Sequence, residues 1–321
     1  MKILIGLFCL SSIHGFSMSG GNDFFSFTTK YKKEYHTETD RYHAYLNFQT
    51  NMETIHHKNK RQTKYRLGPN QFSDQNMDMI HRQILSNDFT KPITSVPYTP
   101  RLSFVKEKNI DWEKRGYVQP IKNQGNCGSC WAFSTISAIE TMVHYYVNKE
   151  IELSEQQLID CSDQNYGCNG GWMHTALDYI KEQGGVVSAS VYPYKSFQQT
   201  CEEFPQKIKE TSWFQPLFIP PNSPELLKNA LVLNSICVAV HADFDFVFYE
   251  EGIFEPEGPT HPLLNHAVVL IGYDSDHELW RIRNSWGETW GEQGYMRLPI
   301  REGKGVAGIH SYAIFPMFQH S

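Results

Sequence analysis

No apolar run in the 321-residue chain is long enough to cross a membrane; Ile3 to Leu10 falls far short of the ~20 residues a spanning helix needs. There is no Asn-x-Ser/Thr sequon, because Asn222-Ser223 is followed by Pro224, so delivery by an N-linked glycan on this chain is unsupported. Positive charge is not in excess: 29 Lys and Arg against 35 Asp and Glu give a net charge of −6. That balance argues against nucleic acid or an anionic membrane as the main partner. Internal repeats and low-complexity tracts are also missing. The remaining composition, 40% hydrophobic and 20% charged, is that of an ordinary globular protein and says nothing of chemistry.

The amino terminus says more. Lys2, the short apolar run, and then small and polar residues through Gly15 and Ser17 predict a cleaved signal peptide over residues 1–17. Export places the mature protein in the secretory pathway, in a lysosome or outside the cell, where thiols pair by default. Of seven cysteines, Cys9 leaves with the signal, and Cys127, Cys130, Cys161, Cys168, Cys201 and Cys237 remain. If one of these stays free for chemistry, parity leaves a second one over. Cys237, inside the apolar run Ile236 to Val240, suits a buried inert thiol.

Residues 18–102 are polar and rich in His and Lys. Tyr45, Phe48, Met52, Ile55 and Asn59 recur at three- and four-residue steps, which predicts one face of an amphipathic helix. The prolines between Lys91 and Pro100 predict an exposed linker and a boundary near residue 103. Residues 103–321 then form the main domain. Its first long pattern predicts a helix from Cys130 to Val147, and Ser154 with Gln157 predicts a capping-box start to a helix ending near Cys161. Trp172 to Gln183 reads as a further helix stopped by Gly184 and Gly185, and Ser223-Pro224-Glu225 opens another. Beyond Ile236 short apolar and alternating runs take over: Val238 to Val240, His266 to Tyr273, and Leu279 to Arg283. Helices first and strands second predict an α+β protein with two segregated lobes.

Cys130 would stand at the head of the long helix, where the dipole favours a thiolate. Such a nucleophile needs a histidine to hold its proton and an orienting partner for that histidine. Alone, Cys127-Gly-Ser-Cys130 is also compatible with a redox pair or half a zinc site. No thioredoxin-like βαβ pattern surrounds it, and Cys161 and Cys168 are spaced too widely to complete a metal site.

The longer string Gln124-Gly-Asn-Cys-Gly-Ser-Cys130-Trp-Ala-Phe-Ser134 resembles the papain and cathepsin family around its nucleophile, where C-G-[SA]-C-[WY] precedes His and Asn by about 130–150 residues. Asn265-His266-Ala267 stands 136 residues beyond Cys130, and Asn284-Ser-Trp-Gly287 stands 154 beyond. Leu153 to Cys161 and Gly167-Cys-Asn-Gly-Gly171 also resemble family blocks, so the likeness runs from about Asp111 to Pro316. It implies a papain-like two-lobed fold, with a helical lobe, a β-barrel-like lobe and the active site in the cleft between. It also implies a cysteine endopeptidase acting on protein or peptide substrates, with no metal and no cofactor. By the resemblance, Cys130 is the nucleophile, His266 its general base and acid, and Asn284 the holder of the imidazole. Trp286 would shield that bond, and Gln124 would donate to the oxyanion. No insertion lies where exopeptidase relatives carry loops that bind a chain end. Asn165 to Gly171 with Arg283 to Gly287 is most similar to cathepsin O.

The same resemblance implies disulfides Cys127–Cys168 and Cys161–Cys201. Relatives have a third bridge in the strand-rich lobe. Here the matching places, the segment from Phe254 to Thr260 and Ala307, hold no cysteine. Gly170 and Gly171 would let a substrate main chain approach, with Asn265 beside the cleft. The pocket for the residue second upstream of the scissile bond would be lined by Trp172, Met173, Ala239, Leu264, Ala267 and Tyr312. With Tyr312 at its floor, the pocket should be shallow and favour small or medium apolar side chains.

The early segment resembles a papain-type inhibitory propeptide, an α-helical partner for the protein's own cleft. Phe48, Asn51, Ile55 and Asn59 fit the later part of its E-R-F-N-I-N helix, and Gly68-x-Asn70-x-Phe72-x-Asp74 fits G-x-N-x-F-x-D in full. The expected arginine falls on Ala44, which predicts that one ion pair is lost. Cystatin-type inhibitors are a further implied partner. Two other functions use similar parts: a Cys–His acyltransferase, and a non-catalytic binding or inhibitor protein. The second should have lost a triad residue, and none is missing.

Overall fold

The computed structural model describes residues 19–85, 96–99, 107–204, 206–257 and 263–319, so the proposed signal peptide over 1–17 lies outside them. The chain opens with two helices, α1 (Ser19–Lys30) and α2 (Glu38–Asn59). Thr37 caps α2 through a reciprocal box with Asp40, satisfying two otherwise orphaned backbone donors. Phe24 and Phe27 of α1 pack on Ala44 and Phe48 of α2, forming a small core of their own. Strand β1 (Tyr65–Leu67), helix α3 (Met77–Gln83) and the two-residue strand β2 (Val96–Pro97) follow.

Asn51 and Asn59 hold this segment in shape. Asn51 Nδ2 donates to the carbonyls of Ser73 and Gln75, and the Asn59 amide pairs with both backbone groups of Leu67. Asp74 is not left unpaired by the missing arginine. Lys33 Nζ reaches its Oδ1 at 2.8 Å and the Tyr35 hydroxyl donates to its Oδ2 at 2.9 Å. Lys33 sits on the α1–α2 turn, 41 residues from Asp74, and pairs with it, while Ala44 at the arginine's place is buried among Phe24, Phe27 and Phe48.

The main domain starts with β3 (Asn109–Asp111) and the long helix α4 (Cys130–Val147). Every residue of α4 from Cys130 to Val143 is buried, as a helix central to its lobe must be. Asn148 ends it in the left-handed conformation, φ 55°. Helices α5 (Glu155–Cys161) and α6 (Met173–Glu182) pack against it. Ser154 caps α5, but the Gln157 side chain turns to Val187 and Tyr179, so only half of the expected box forms.

The second part runs β4 (Phe214–Ile219), α7 (Pro224–Leu231), β5 (Ile236–Val240), α8 (Phe244–Val247), β6 (Tyr249–Gly252), β7 (His266–Asp274), β8 (Leu279–Arg283), β9 (Tyr295–Pro299) and β10 (Ala313–Phe318). The main sheet has the order β2-β4-β10-β5-β7-β8-β9, with β3 paired to β7. All of these pairs are antiparallel except β2 with β4. The end of the linker is therefore not simply exposed: it adds a strand to the sheet edge and buries Tyr98 against Phe315.

Two cores result. One gathers α4 and α6 with the facing side of the sheet; the other fills the strand-rich lobe with Trp280, Trp286, Trp290, Phe246 and Phe254. Ile55, Tyr65, Leu67, Phe72 and Ile80 of the early segment belong to this second core, so that segment is built into the strand-rich lobe. Cys127–Cys168 and Cys161–Cys201 are bonded, while Cys130 and Cys237 are buried and take no part in a disulfide. At the first place where relatives have their third bridge, Phe254 is buried core, and residues 258–262 lie outside the described region. At the second, the loop around Ala307 is pinned by His310. Its Nε2 accepts from Trp280 Nε1 at 2.9 Å, and its Nδ1 lies 3.0 Å from the Gly303 carbonyl.

Candidate active site

Cys130 is the first residue of α4, so its sulfur sits at the positive end of an 18-residue helix. The backbone N–H of Ala267 donates to Cys130 Sγ at 3.4 Å, which brings the start of β7, and with it His266, beside the thiol. His266 Nε2 lies 2.8 Å from Asn284 Oδ1. The N–H of Ser285 donates to the same Oδ1, which fixes the amide with its oxygen toward the ring. An oxygen can only accept, so Nε2 carries a proton and Nδ1 is the atom able to exchange one. Among the described residues Nδ1 makes no hydrogen bond.

Trp286 stacks on the imidazole with centroids 4.4 Å apart, and Phe246 meets the ring at its edge. Both Trp286 and His266 are fully buried. Burial lowers the His266 pKa to about 4, a fall that the Asn284 bond partly opposes. Burial thus favours the neutral imidazole in this closed state.

Gln124 is also fully buried, and its amide is fully engaged. Oε1 accepts from Ser285 Oγ at 2.7 Å, and Nε2 donates to the Cys127 carbonyl at 2.8 Å. The second hydrogen on Nε2 goes to the carbonyl of Ile84, also at 2.8 Å. Ile84 belongs to the early segment, so a backbone oxygen of that segment lies where a substrate's oxyanion would be expected. A Cβ placed on Gly128 would stand 2.6 Å from the Cys168 carbonyl and 2.9 Å from that of Leu85, so glycine there lets the segment and the disulfide-bonded turn both approach. Phe72 packs edge-on to Trp286 at 5.2 Å, and Gln71 Nε2 donates to the Trp286 carbonyl. The segment thus grips both sides of the catalytic pair.

The expected cleft residues come together. Gly170 has φ 108°, and a Cβ on Gly171 would lie 2.6 Å from Asn165 Oδ1 and 2.7 Å from the Trp131 ring. Met173, Ala239, Leu264, Ala267 and Tyr312 share one buried cluster, with Trp172 packed at its margin. The Asn265 side chain is committed to both backbone groups of Ala242, which fixes the turn ahead of His266. Three participants escaped the sequence reading. Ser285 orients Gln124 from within the Asn284-Ser-Trp-Gly string and could have been found there. Asn165 holds the Trp172 N–H at 2.7 Å, and His174 lies 2.6 Å from the Tyr312 hydroxyl. Asn165 heads the Asn165-to-Gly171 string and was within reach there, whereas no pattern marks His174.

A chain whose cleft ends on a thiol beside an oriented imidazole, and whose own leading segment fills that cleft, is built as a latent thiol protease. Comparison with known proteins places it more closely. Residues 106–317 match the papain family cysteine proteases, and residues 24–78 match the cathepsin propeptide inhibitor domain. The chain belongs to the papain family of cysteine proteases and is made as a proform with an inhibitory propeptide. A senescence-specific cysteine protease of Arabidopsis thaliana is 36% identical over 304 residues, covering 90% of this chain and 87% of that one. A cathepsin L-like peptidase of Aedes aegypti is 33% identical over 317 residues, 91% of each. Among solved structures, the digestive procathepsin L2 of Tenebrio molitor superposes with TM-score 0.85 at 28% identity, covering 93% of this chain and 100% of that one. The proform of the ragweed pollen protease Amb a 11 gives TM-score 0.84 at 27% identity, covering 95% and 96%. These relatives are plant and insect enzymes, and they do not confirm the finer resemblance to cathepsin O. Among the described residues no helix is long and apolar enough to cross a membrane.

Proposed function

We propose that Cys130, His266, Asn284 and Gln124 carry the hydrolysis of internal peptide bonds. In the opened enzyme His266 Nδ1 takes the thiol proton and Cys130 Sγ attacks the peptide carbonyl carbon. The oxyanion is held by Gln124 Nε2–H and the Cys130 N–H, and one such donor is worth roughly 3 kcal/mol at the transition state. The imidazolium returns its proton to the leaving amine, and water then hydrolyses the thioester with the same imidazole as base. Asn284 keeps Nδ1 aimed at the sulfur throughout. The observation that carries this reading is the Asn284–His266 bond at 2.8 Å on a strand whose next residue donates to Cys130 Sγ.

Residues 1–17 act as the export signal, 18–102 as the propeptide and 103–321 as the peptidase, working in a lysosome or outside the cell. Cystatin-type inhibitors suit the same open cleft. Gly170 and Gly171 take the substrate main chain. The cluster of Trp172, Met173, Ala239, Leu264, Ala267 and Tyr312 takes the side chain second upstream of the cut.

Acid favours opening. Burial holds the His266 pKa down in the closed form, so a step that exposes the ring raises it and binds protons preferentially to the open form. Maturation should therefore quicken as pH falls from about 6.5 toward about 4. The test is labelling of acid-treated precursor with a thiol-directed epoxide, read by intact mass. One adduct on a chain trimmed near residue 103, and none on Cys130→Ala, is the expected outcome. A trimmed protein that takes no label would overturn the assignment.

A further inference from the structure

His174 and Tyr312 form a buried polar pair that the hydrolysis itself does not use. A row of cross-strand neighbours leads to it from the nucleophile. Ala267, whose N–H donates to Cys130 Sγ, faces Ala239 on β5, and the Ala239 N–H donates to the Tyr312 carbonyl at 3.1 Å. With strands ~4.8 Å apart, Tyr312 stands roughly 10 Å along that row from Ala267. Two alanines in succession leave a trough on the sheet, and the next residue, a tyrosine, ends it. Tyr312 and His174 are each only 3% exposed.

A tyrosine packed this deeply must also find a partner for its hydroxyl, and where that partner lies decides how the ring is set. Here His174 Nδ1 lies 2.6 Å from that hydroxyl, and the His174 N–H reaches it at 3.4 Å. His174 is the second residue of α6, and the start of that helix is fixed from outside. Asn165 holds the Trp172 N–H, and the Cys127–Cys168 disulfide ties the preceding turn to the nucleophile loop. A buried hydroxyl without a partner costs ~1–3 kcal/mol. The ring therefore keeps the conformation that reaches α6.

We infer that His174 is a positioning residue for substrate choice: by holding the Tyr312 hydroxyl it keeps the ring across the far end of the trough. The enzyme then takes valine-sized side chains at the second upstream position and rejects phenylalanine-sized ones. This rests on the pocket assigned above.

The test uses the whole precursor, activated at acid pH, as wild type, Tyr312→Ala, Tyr312→Phe, His174→Phe and the double Phe variant. Each is assayed on two fluorogenic dipeptide substrates that differ only in Val or Phe at that position. Wild type should favour Val by at least ~10-fold in kcat/KM. Tyr312→Ala should swing the ratio toward Phe by roughly 10- to 100-fold. Tyr312→Phe and His174→Phe should each move it the same way by about 3- to 10-fold, through KM for the Phe substrate. The double variant should shift no further than either single one. An unchanged ratio in Tyr312→Ala would overturn the pocket assignment and this inference together. A swing in Tyr312→Ala alone, with wild-type ratios in Tyr312→Phe and His174→Phe, would overturn only the role of His174. Equal losses on both substrates would make the pair a plain structural bond and also overturn it.

Discussion

In the helical lobe, two disulfides close loops with separations of 41 and 40 residues around α4, α5 and the glycine wall of the cleft. In the strand-rich lobe no disulfide occurs among the described residues. Its interior is instead a cluster of aromatic rings, Trp286, Trp290, Phe246, Phe254 and Tyr249, packed mostly edge to face. The loop around Ala307 is held there by the Trp280–His310–Gly303 hydrogen bonds. The propeptide docks on this second lobe. Leu67 and Phe72 enter its core, β1 pairs with β6, and Tyr65 and Lys58 both bind Asp245. One lobe is held by covalent closure, the other by packing that the propeptide helps to complete. The difference shows how a fold can lose a cross-link where it has aromatic packing and a second segment to lean on.

That contrast can be broken at several points. The largest effect should come from removing Cys161–Cys201 by Cys161→Ser with Cys201→Ser. A closed loop of that length is worth about 4 kcal/mol in the chain-entropy account. Hydrogen exchange should rise in α5 and α6 while β7 and β8 keep their protection; equal loosening of both lobes would erase the distinction. Phe72→Ala removes a ring that touches Trp286, and a buried Phe→Ala change costs ~3–5 kcal/mol. The precursor should then be active before processing, measured as peptide hydrolysis by uncut chain.

His310→Leu should cost roughly 2 kcal/mol from the lost buried hydrogen bonds and should sharpen the comparison through pH. Burial holds His310 below the usual imidazole range, outweighing the Gly303 bond that raises it. Its Nε2 accepts from Trp280, so the ring must stay unprotonated at that atom. A depressed imidazole gives stability that is present above about pH 6.5 and is lost as pH falls below that range. Melting curves of wild type should fall more steeply than those of His310→Leu as pH drops below about 6.5. Parallel curves would mean that His310 does not set the acid tolerance of the strand-rich lobe. The last is Asp74→Asn, which keeps the side chain's shape but removes the buried charge that Lys33 and Tyr35 bind. Maturation of that precursor should proceed at a higher pH than wild type, followed by gel or intact mass.

The parts of the molecule most readable from sequence are those in which neighbouring residues act together. Cys130 and Gln124 share one string, and His266 and Asn284 each lie in another. The α4 span from Cys130 to Val147 follows from its apolar face. What stayed hidden joins distant residues or uses the backbone alone. The Lys33–Asp74 pair has no periodicity to betray it, and nothing in a lysine on a turn says which carboxylate it will meet. The Ile84 carbonyl on Gln124 involves no side chain of the propeptide. Two residues of linker became a strand because β4 offered an unpaired edge, and an edge exists only after the sheet has formed.

The placement of the nucleophile and base on different elements has a consequence for every variant of this enzyme. Cys130 rides on α4, which belongs to the helical core, and His266 opens β7, the strand that pairs with both β5 and β8. Ser134 of α4 donates to the Val268 carbonyl at 2.9 Å, and the Cys237 thiol donates to the Ser134 carbonyl at 3.3 Å; these bonds fix helix and strand against each other. A displacement of about 1 Å between reacting groups can cost ~100-fold in rate. Turnover is therefore a finer gauge of how helix and strand are aligned than any melting curve. A substitution far from the cleft that slides one past the other would leave a folded, fully cross-linked protein that has simply fallen out of register.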